Sequence, residues 1–514
     1  MSQSNFDNKR ILKNTLFLYA RMILIMCIGL YTVREFLSLL GVEDYGIYNV
    51  IGGLVTMFSF LNGTLAAASQ RYFSVELANN NISGLNKSFR LNITVYLCII
   101  VLSIIALETI GLWFLNNKLI IPKDRLFAAN VVYQFSIVAF ALQMITVPYN
   151  ALIISYERMS AFAYIGIFEA FFKIIIVIVL SVITWDKLII FGLLTLVSAI
   201  MVTMSYIIYC RRKLKGCEYS FYWNSAEAKE LVSFTGWHLL GTLSTVIRSQ
   251  GINLLLNSFF NPAINAARAI AYQVYNSINQ LSSNFFIALK PQMYKCYSSG
   301  EIKELNKLIL RGTIICTFLV AVVSLPCMIN IRFILRIWLK DVPDYTSLFT
   351  VLVLINGIID STSGCTICPA LAVGNLKKFY LVTGTLLILN LPISYFLLKI
   401  GCPPEATMVV SIIVSTITVF ARAIILNELM PFDLKRYCYM LLRLTICTIA
   451  IYFILFYIYI NISNEIIALV TTCVLSVILH VVFYAFFVLD KCDREVLAVS
   501  ILSKIKRNPY DRKA

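Results

Sequence analysis

Long apolar runs, separated by short polar segments, repeat along the whole chain. A helix needs about 20 apolar residues to cross a hydrocarbon core roughly 30 Å thick, and most of these runs reach that length. The pattern therefore predicts an all-α polytopic membrane protein with about fourteen transmembrane helices. The predicted spans are 14–38, 46–75, 90–115, 127–155, 160–184, 188–210, 231–256, 264–290, 309–334, 346–373, 378–399, 404–426, 437–460 and 466–489.

The composition agrees with a membrane solvent. Of the 514 residues, 60% are hydrophobic and 13% are charged, whereas soluble domains contain roughly 45–50% apolar residues. The first apolar run follows the basic segment NKRILKN and has no small-residue cleavage site behind a short apolar core. We therefore predict a retained first helix rather than a signal peptide.

Lysines and arginines concentrate in every second connection and in both tails. Because short basic loops stay on the cytoplasmic side, both termini are predicted to be cytoplasmic. The net charge of +17 reflects this bias and an attraction to anionic headgroups. Membrane lipids are therefore predicted partners, and nucleic acid is not.

An internal repeat divides the chain. The tripeptide at 85–87 recurs at 305–307, and Pro148 in VPYNAL corresponds to Pro369 in CPALAV within the same hydropathy frame. Two halves of six helices have the same topology, and a substrate path is expected between them. The predicted domains are an N-terminal lobe at 1–220, a C-terminal lobe at 221–430, and helices 13 and 14 with a basic cytoplasmic tail at 431–514.

Four segments carry a resemblance to Wzx-type O-antigen flippases of bacteria, within the multidrug/oligosaccharidyl-lipid/polysaccharide exporter superfamily. They are NTLFLYARMILIMCIGLYTVREFLSLLGVEDYGIYNVIGGLVTMFSFLNG, SQRYFSVEL, SQGINLLLNSFFNPAINAARAIAYQV and ALKPQMYKCYSSGE. The resemblance implies a MATE-like, V-shaped transporter with two six-helix bundles and two added helices. It also implies flipping of an undecaprenyl-pyrophosphate-linked oligosaccharide across the inner membrane for lipopolysaccharide or other surface polysaccharide synthesis. Other polysaccharide-assembly proteins are implied partners, and no cofactor or catalysis is expected.

Several basic residues fall inside the predicted spans, where a lipid-facing charge costs roughly 2.5–3.5 kcal/mol near the bilayer centre. Arg71, Arg422 and Arg443 lie near the cytoplasmic boundary, so their long side chains are predicted to reach the headgroups. Lys173 follows Glu169 by one helical turn, a spacing that permits a self-neutralising pair. A proton-coupling site is the alternative interpretation of this pair.

Four further arginines have no acidic residue four positions away on their own helix. On an ideal helix, Arg21 and Arg34 point about 140° apart. This angle predicts either a bend near Gly29 or a position in the cleft for only one of the two side chains. The four are candidate anion-binding residues: Arg21, Arg34, Arg248 and Arg268.

A polar stripe follows Arg268 at helical spacing, through Tyr272, Tyr275 and Asn279. Polar residues can hold membrane helices together, so helix packing is one interpretation. The other is an aqueous cleft in which the guanidinium group binds pyrophosphate by charge-assisted hydrogen bonds. In that cleft, tyrosine and asparagine side chains would contact sugar hydroxyls and faces.

Two alternative functions compete with the flippase interpretation. A cation- or proton-coupled multidrug exporter of the same superfamily would require acidic membrane residues, for which Glu169, Asp360 and Glu108 are the candidates. A membrane-embedded polymerase or glycosyltransferase is disfavoured, because the longest predicted external connections are too short for a catalytic domain. No metal site is predicted, because Cys365 and Cys368 lie in an apolar helix without a nearby histidine.

Overall fold

The structure is a computed structural model that describes residues 2–56, 60–117, 121–260, 262–339, 342–374 and 376–488. Wherever the fourteen predicted spans fall within these ranges they lie mainly on helical segments, so the all-α class is confirmed; residues 57–59 of the second span and residue 489 of the last lie outside the described residues. Helices α3 and α4 are joined by a π-helical turn at Leu107–Gly111, and a second such turn, Tyr484–Val488, follows α16. The helices are α1 (Ser2–Thr56), α2 (Phe60–Ala78), α3 (Ile82–Ala106), α4 (Leu112–Asn117), α5 (Leu126–Ser155), α6 (Met159–Val182), α7 (Lys187–Lys213), α8 (Ser225–Phe259), α9 (Pro262–Ser298), α10 (Ile302–Ile329), α11 (Ile331–Trp338), α12 (Thr346–Val373), α13 (Leu376–Lys399), α14 (Ala406–Leu429), α15 (Leu434–Ile460) and α16 (Glu465–Phe483).

Ten helical segments in the described ranges are long and apolar enough to cross a membrane. Large apolar side chains are exposed along many of them, as expected of helices whose surroundings are lipid rather than water. The chain is therefore a multi-pass membrane protein. The spans predicted on α1, α2, α8 and α9 are not among the ten, and they stay predictions.

Helix α1 breaks at a glycine. Its non-helical backbone angles lie at Gly41, where φ is 80° and ψ is 167°, and the bend near Gly29, one of two alternatives, stays a prediction. Glycine enters this region without the steric cost that a Cβ imposes. Other helices contain prolines, each of which removes one backbone hydrogen bond. Such prolines include Pro148, Pro326, Pro369 and Pro392.

The repeat seen in the sequence reappears in two equivalent turns. Asn80 and Gly300 both adopt positive φ, at 52° and 73°, a conformation that asparagine and glycine tolerate best. In both turns the next residue donates its backbone N–H to the carbonyl five residues earlier, at 3.0 and 2.9 Å. The segments 85–87 and 305–307 thus occupy the same place in two matching helix–turn–helix motifs. The lobe boundaries at residues 220 and 430 stay predictions.

The helices group into two compact units. Unit 1 comprises Met1–Thr245, Asn284–Leu305 and Cys368–Gly384, and unit 2 comprises Val246–Ser283, Asn306–Ile367 and Thr385–Ala514. The core of unit 1 includes fully buried Phe73, Phe89 and Tyr133, and that of unit 2 includes Phe349 and Tyr437. Each unit thus has its own apolar interior.

Connections within unit 1 pair in an alternating order. Arg125 lies between two carboxylates, with its nitrogens 3.0 Å from Asp44 and 2.9 Å from Asp186, so the connections after the first, third and fifth spans lie together. The Tyr156 hydroxyl donates to the Lys215 carbonyl at 3.0 Å, which joins the connections after the fourth and sixth spans. Odd and even connections therefore meet separately, as antiparallel spans require.

A reporter fusion experiment tests the predicted orientation. Reporters inserted after Lys215 or Lys377 are expected to give a cytoplasmic signal, because both positions lie in basic connections. A reporter near Asp44 is expected on the opposite side. The readout is the activity of compartment-specific reporter enzymes at matched protein levels. A periplasmic signal at Lys215 would contradict the assigned number of spans.

Candidate functional site

Arg268 lies on α9 in unit 2 and is held by two groups. Arg268 is only 3% exposed. The Nη1 atom donates a hydrogen bond to Oδ1 of Asn253 on α8. The guanidinium carbon lies 4.5 Å from the ring centroid of Tyr272, one turn along α9. This cation–π contact stabilises a charge removed from water more strongly than it would at an exposed site.

Two other guanidinium nitrogens of Arg268 make no close hydrogen bond, although the Tyr272 side chain interacts with the guanidinium group. Nε and Nη2 are buried and make no hydrogen bond to any described residue. The expectation that Arg268 faces an open aqueous cleft is therefore wrong for this structure, because α8 and the Tyr272 ring enclose the side chain. Buried polar groups in native proteins are nearly always paired with protein, water or ligand. The Nε and Nη2 nitrogens of Arg268, which together carry three N–H groups, therefore lack a close acceptor among the described residues.

Other predicted residues gather around Arg268 in unit 2. Arg248 on α8 is near enough to repel the Arg268 charge, and it also interacts with Tyr275, as does the carboxylate of Asp360. The Asn356 amide donates to Asp360 at 3.0 Å. The structure thus brings two arginines and one acid together from helices α8, α9 and α12.

The polar stripe on α9 has mixed surroundings. Tyr272 meets Tyr275 edge to face, with ring centroids 6.2 Å apart. A Cβ at Gly357 on α12 would lie 2.4 Å from the Tyr275 ring, so Tyr275 packs directly on that glycine. Asn279 is half-buried. Helix packing therefore accounts for Tyr275, while Tyr272 supports the guanidinium.

A polar cavity of about 610 Å³ lies within unit 1. Small-molecule sites typically occupy roughly 300–1,000 Å³. Helices α1, α5, α6 and α7 line this cavity, and three of the predicted site residues are among its walls: Arg21, Glu169 and Lys173.

Arg21 occupies a fixed position in this cavity. Its guanidinium carbon lies 4.1 Å from the Phe162 ring centroid. A Cβ at Gly166 would lie 2.2 Å from Nε, so only a glycine leaves room for the guanidinium at this point of α6. Nε itself is buried and makes no hydrogen bond to the described residues. The side chain of Arg34, its predicted companion on α1, lies outside the described residues.

The predicted pair of Glu169 and Lys173 is not an ion pair in this structure. No contact within 4 Å joins their charged groups in the described part of the chain, and both side chains are exposed and line the cavity. Glu169 instead interacts electrostatically with Arg21.

No protein family model matches the chain, and no curated protein matches it in sequence. Solved structures do match. An outward-facing multidrug resistance MATE family transporter of the MOP superfamily has a TM-score of 0.71 at 11% identity, covering 82% of this chain and 96% of that one. A MATE in complex with MaL6 has a TM-score of 0.67 at 12% identity, covering 81% and 96%.

The chain has a MATE-like fold. A third similar structure is a MOP superfamily transporter from Pyrococcus furiosus, with a TM-score of 0.68 at 12% identity over 82% of this chain and 96% of that one. For that transporter, the reverse polarity of the binding pocket is said to suggest a different function. Such low identities show a shared fold only.

Hydrogen bonds inside the protein correct the prediction that arginines near the cytoplasmic boundary reach the headgroups. The Arg71 side chain is 13% exposed, and its Nε donates to the Ala372 carbonyl at 3.3 Å. Arg422 donates to the Ser363 hydroxyl at 2.8 Å. The predicted reach to the headgroups is therefore wrong for both, because bonds inside the protein satisfy these donors at shorter range.

Sequence reasoning missed three residues at the two sites. Asn253 holds Arg268 from another helix, Gly166 makes room for Arg21, and Asn150 lines the unit 1 cavity with an unpartnered Oδ1. Each contact joins different helices of the MATE-like fold. No spacing rule within one helix connects such residues, so the sequence carried no signal for them.

Proposed function

We propose that this chain is a membrane transporter that flips an undecaprenyl-pyrophosphate-linked oligosaccharide across the bacterial inner membrane. The observation that carries the proposal is the pair of guanidinium nitrogens on buried Arg268, Nε and Nη2, that make no close hydrogen bond within the described residues. A buried, unpaired charge is costly, and an anion bound by two charge-assisted hydrogen bonds offsets that cost. The planar guanidinium suits the adjacent oxygens of a phosphate.

The neighbouring charges support an anionic substrate. Arg248 adds a second positive charge beside Arg268, and the single acid Asp360 interacts with Tyr275 rather than forming an ion pair with either arginine within the described residues. Two guanidinium groups with one carboxylate leave a positive excess. An anionic pyrophosphate is attracted to that excess.

Parts of the proposal concern the whole molecule. We propose two six-helix lobes, at 1–220 and 221–430, with both termini cytoplasmic and helices 13 and 14 as an addition. The oligosaccharide would contact hydroxyl and amide groups of Tyr272 and Asn279, and surface polysaccharide assembly proteins would supply and receive the glycan.

The second candidate is a cation- or proton-coupled multidrug exporter. It is favoured by the multidrug resistance transporter among the similar structures and by the carboxylates of Glu169 and Asp360. The Pyrococcus furiosus transporter, whose pocket polarity is reversed, supports the view that this fold also serves other substrates. The positive excess at Arg268 disfavours a cationic drug, since like charges repel.

A reconstitution assay separates the two candidates. The purified chain in liposomes is expected to move a fluorescent undecaprenyl-pyrophosphate oligosaccharide from the inner to the outer leaflet, where added reductant quenches it. The matched control is a chain with Arg268→Met, which keeps length without charge. Efflux of an organic cation such as ethidium, without any flipping of the lipid, would favour the exporter and contradict the flippase.

A further inference from the structure

The unit 1 cavity offers two unpartnered polar atoms of opposite kind. Arg21 Nε is a donor and Asn150 Oδ1 is an acceptor, and neither makes a hydrogen bond to the described residues. The hydroxyls of Thr146 and Thr203 donate to carbonyls of their own helices, at 2.9 and 2.8 Å. Arg21 and Asn150 thus each retain one unpartnered polar atom at the cavity wall, in addition to the exposed charged groups of Glu169 and Lys173.

The charges on the cavity wall favour an anion. Arg21 and Lys173 are basic and Glu169 is acidic, and no other Asp, Glu, Lys or Arg is among the described lining residues. The Glu169 carboxylate interacts with Arg21, and Lys173 forms no ion pair within the described residues. One positive charge therefore remains for a bound group.

One end of the cavity is aromatic. The Phe191 ring lies 4.7 Å from Phe36 and 4.4 Å from Tyr48, measured between ring centroids. All three rings are among the lining residues. Flat apolar surfaces beside hydroxyl and amide groups accommodate a ligand with an apolar face and a polar edge.

We infer that this cavity binds a sugar residue bearing a carboxylate, that is, an acidic sugar of the transported glycan. The inference rests on the proposed function and names a substrate class for unit 1, separate from the anion-binding cluster at Arg268. The carboxylate pairs with Arg21 and Lys173, whose donors are charge-assisted. The ring hydroxyls bond to Asn150 and Glu169, both of which accept hydrogen bonds.

Two other ligands would fit part of this chemistry. Inorganic phosphate or pyrophosphate would satisfy Arg21 and Lys173 but would leave the aromatic wall unused. A small organic cation would stack on the rings and pair with Glu169, but it would meet two basic groups. Only a ligand that combines a carboxylate with a polyhydroxylated ring uses all three parts of the cavity.

Binding to the purified full-length chain in detergent tests the inference without transport. Saturation-transfer NMR is expected to show saturable binding of glucuronate in the millimolar range, and weaker binding of glucose. Arg21→Gln is expected to lower glucuronate affinity about tenfold, the loss expected for one charge-assisted hydrogen bond. Gly166→Ala keeps the charge of Arg21 but displaces its guanidinium group. This variant is therefore expected to lower the affinity for glucuronate more than the affinity for glucose.

The matched control is Arg443→Gln, since Arg443 lies on α15 outside the cavity and contacts the Tyr439 ring at 4.1 Å. Its glucuronate affinity is expected to equal that of the unaltered chain. Three results would overturn the inference: equal affinity for glucose and glucuronate, unchanged affinity in Arg21→Gln, or no saturable binding. Displacement of glucuronate by pyrophosphate at equal affinity would assign the cavity to phosphate instead.

Flipping assays separate this inference from the proposed function. In liposomes, Arg21→Gln is expected to slow flipping of an acidic lipid-linked glycan about tenfold relative to a neutral one. Equal slowing of both glycans would contradict the acidic-sugar site while leaving the flippase intact. Glucuronate binding without flipping of any lipid-linked glycan would contradict the proposed flippase function. The NMR result would then show a binding site for an acidic sugar and nothing more.

Discussion

Replacing Arg268 by alanine is expected to reduce flipping of the lipid-linked oligosaccharide roughly 100-fold, the loss expected for about two charge-assisted hydrogen bonds. Arg268→Lys is expected to retain partial activity, because an ammonium keeps the charge but lacks the planar fork. The Arg268→Lys variant also loses the guanidinium hydrogen bond to Asn253 Oδ1 and the guanidinium contact with the Tyr272 ring. The measurement is surface glycan export in cells, normalised to the amount of protein in the membrane.

A structural role would give a different result. Alanine leaves space beside Asn253 and Tyr272, so we compare it with Arg268→Met, which fills more of that space without charge. Arg443 lies on α15, outside the cluster around Arg268. Arg443→Ala therefore controls for the loss of a basic residue in unit 2. Normal export by well-expressed Arg268→Met would refute the anion-binding role, and loss of all Arg268 variants from the membrane would assign the residue to folding.

The second large effect is expected in the helix packing of unit 1. Gly241→Leu on α8 should lower the free energy of unfolding by about 1–3 kcal/mol through overpacking. A Cβ at this position would lie 2.1 Å from the Tyr380 ring. That ring lies 5.5 Å from His238 and 5.3 Å from Phe379, between ring centroids, so it has little room to move.

Gly236→Leu is the matched control on the same helix. No atom lies within 4 Å of a Cβ built at Gly236, and leucine favours a helix over glycine by up to about 1 kcal/mol. The apparent melting temperature in detergent is expected to fall for Gly241→Leu and to stay or rise for Gly236→Leu. Equal melting temperatures for the two variants would show that Tyr380 yields its position easily.

The sequence by itself determined the helical architecture. Runs of about 20 apolar residues can satisfy their backbone groups in lipid only as helices, so hydropathy alone specified where the helices lie. The recurrence of 85–87 at 305–307 also anticipated two matching turns, because Asn80 and Gly300 tolerate positive φ. These features are local, and a local pattern contains the information that determines them.

For charged residues in the helices, the sequence predicted the need for a partner but not the identity of that partner. The absence of an acid one turn from Arg21 or Arg268 correctly marked them as needing a partner elsewhere. Their partners could not be named, because Asn253, Phe162 and Gly166 lie on other helices. The tertiary structure decided that Arg268 is enclosed, that Arg71 bonds to the Ala372 carbonyl, and that Glu169 lines a cavity.

The physical reason is the range of the interactions. Helix formation depends on neighbours within four residues and on the solvent, both of which the sequence displays directly. Burial of a guanidinium depends on which side chains another helix presents at the same depth, and many packings share one hydropathy pattern. The sequence therefore determined the helices and the residues that need partners, and only the tertiary structure decided which groups met them and which donors stayed free for a ligand.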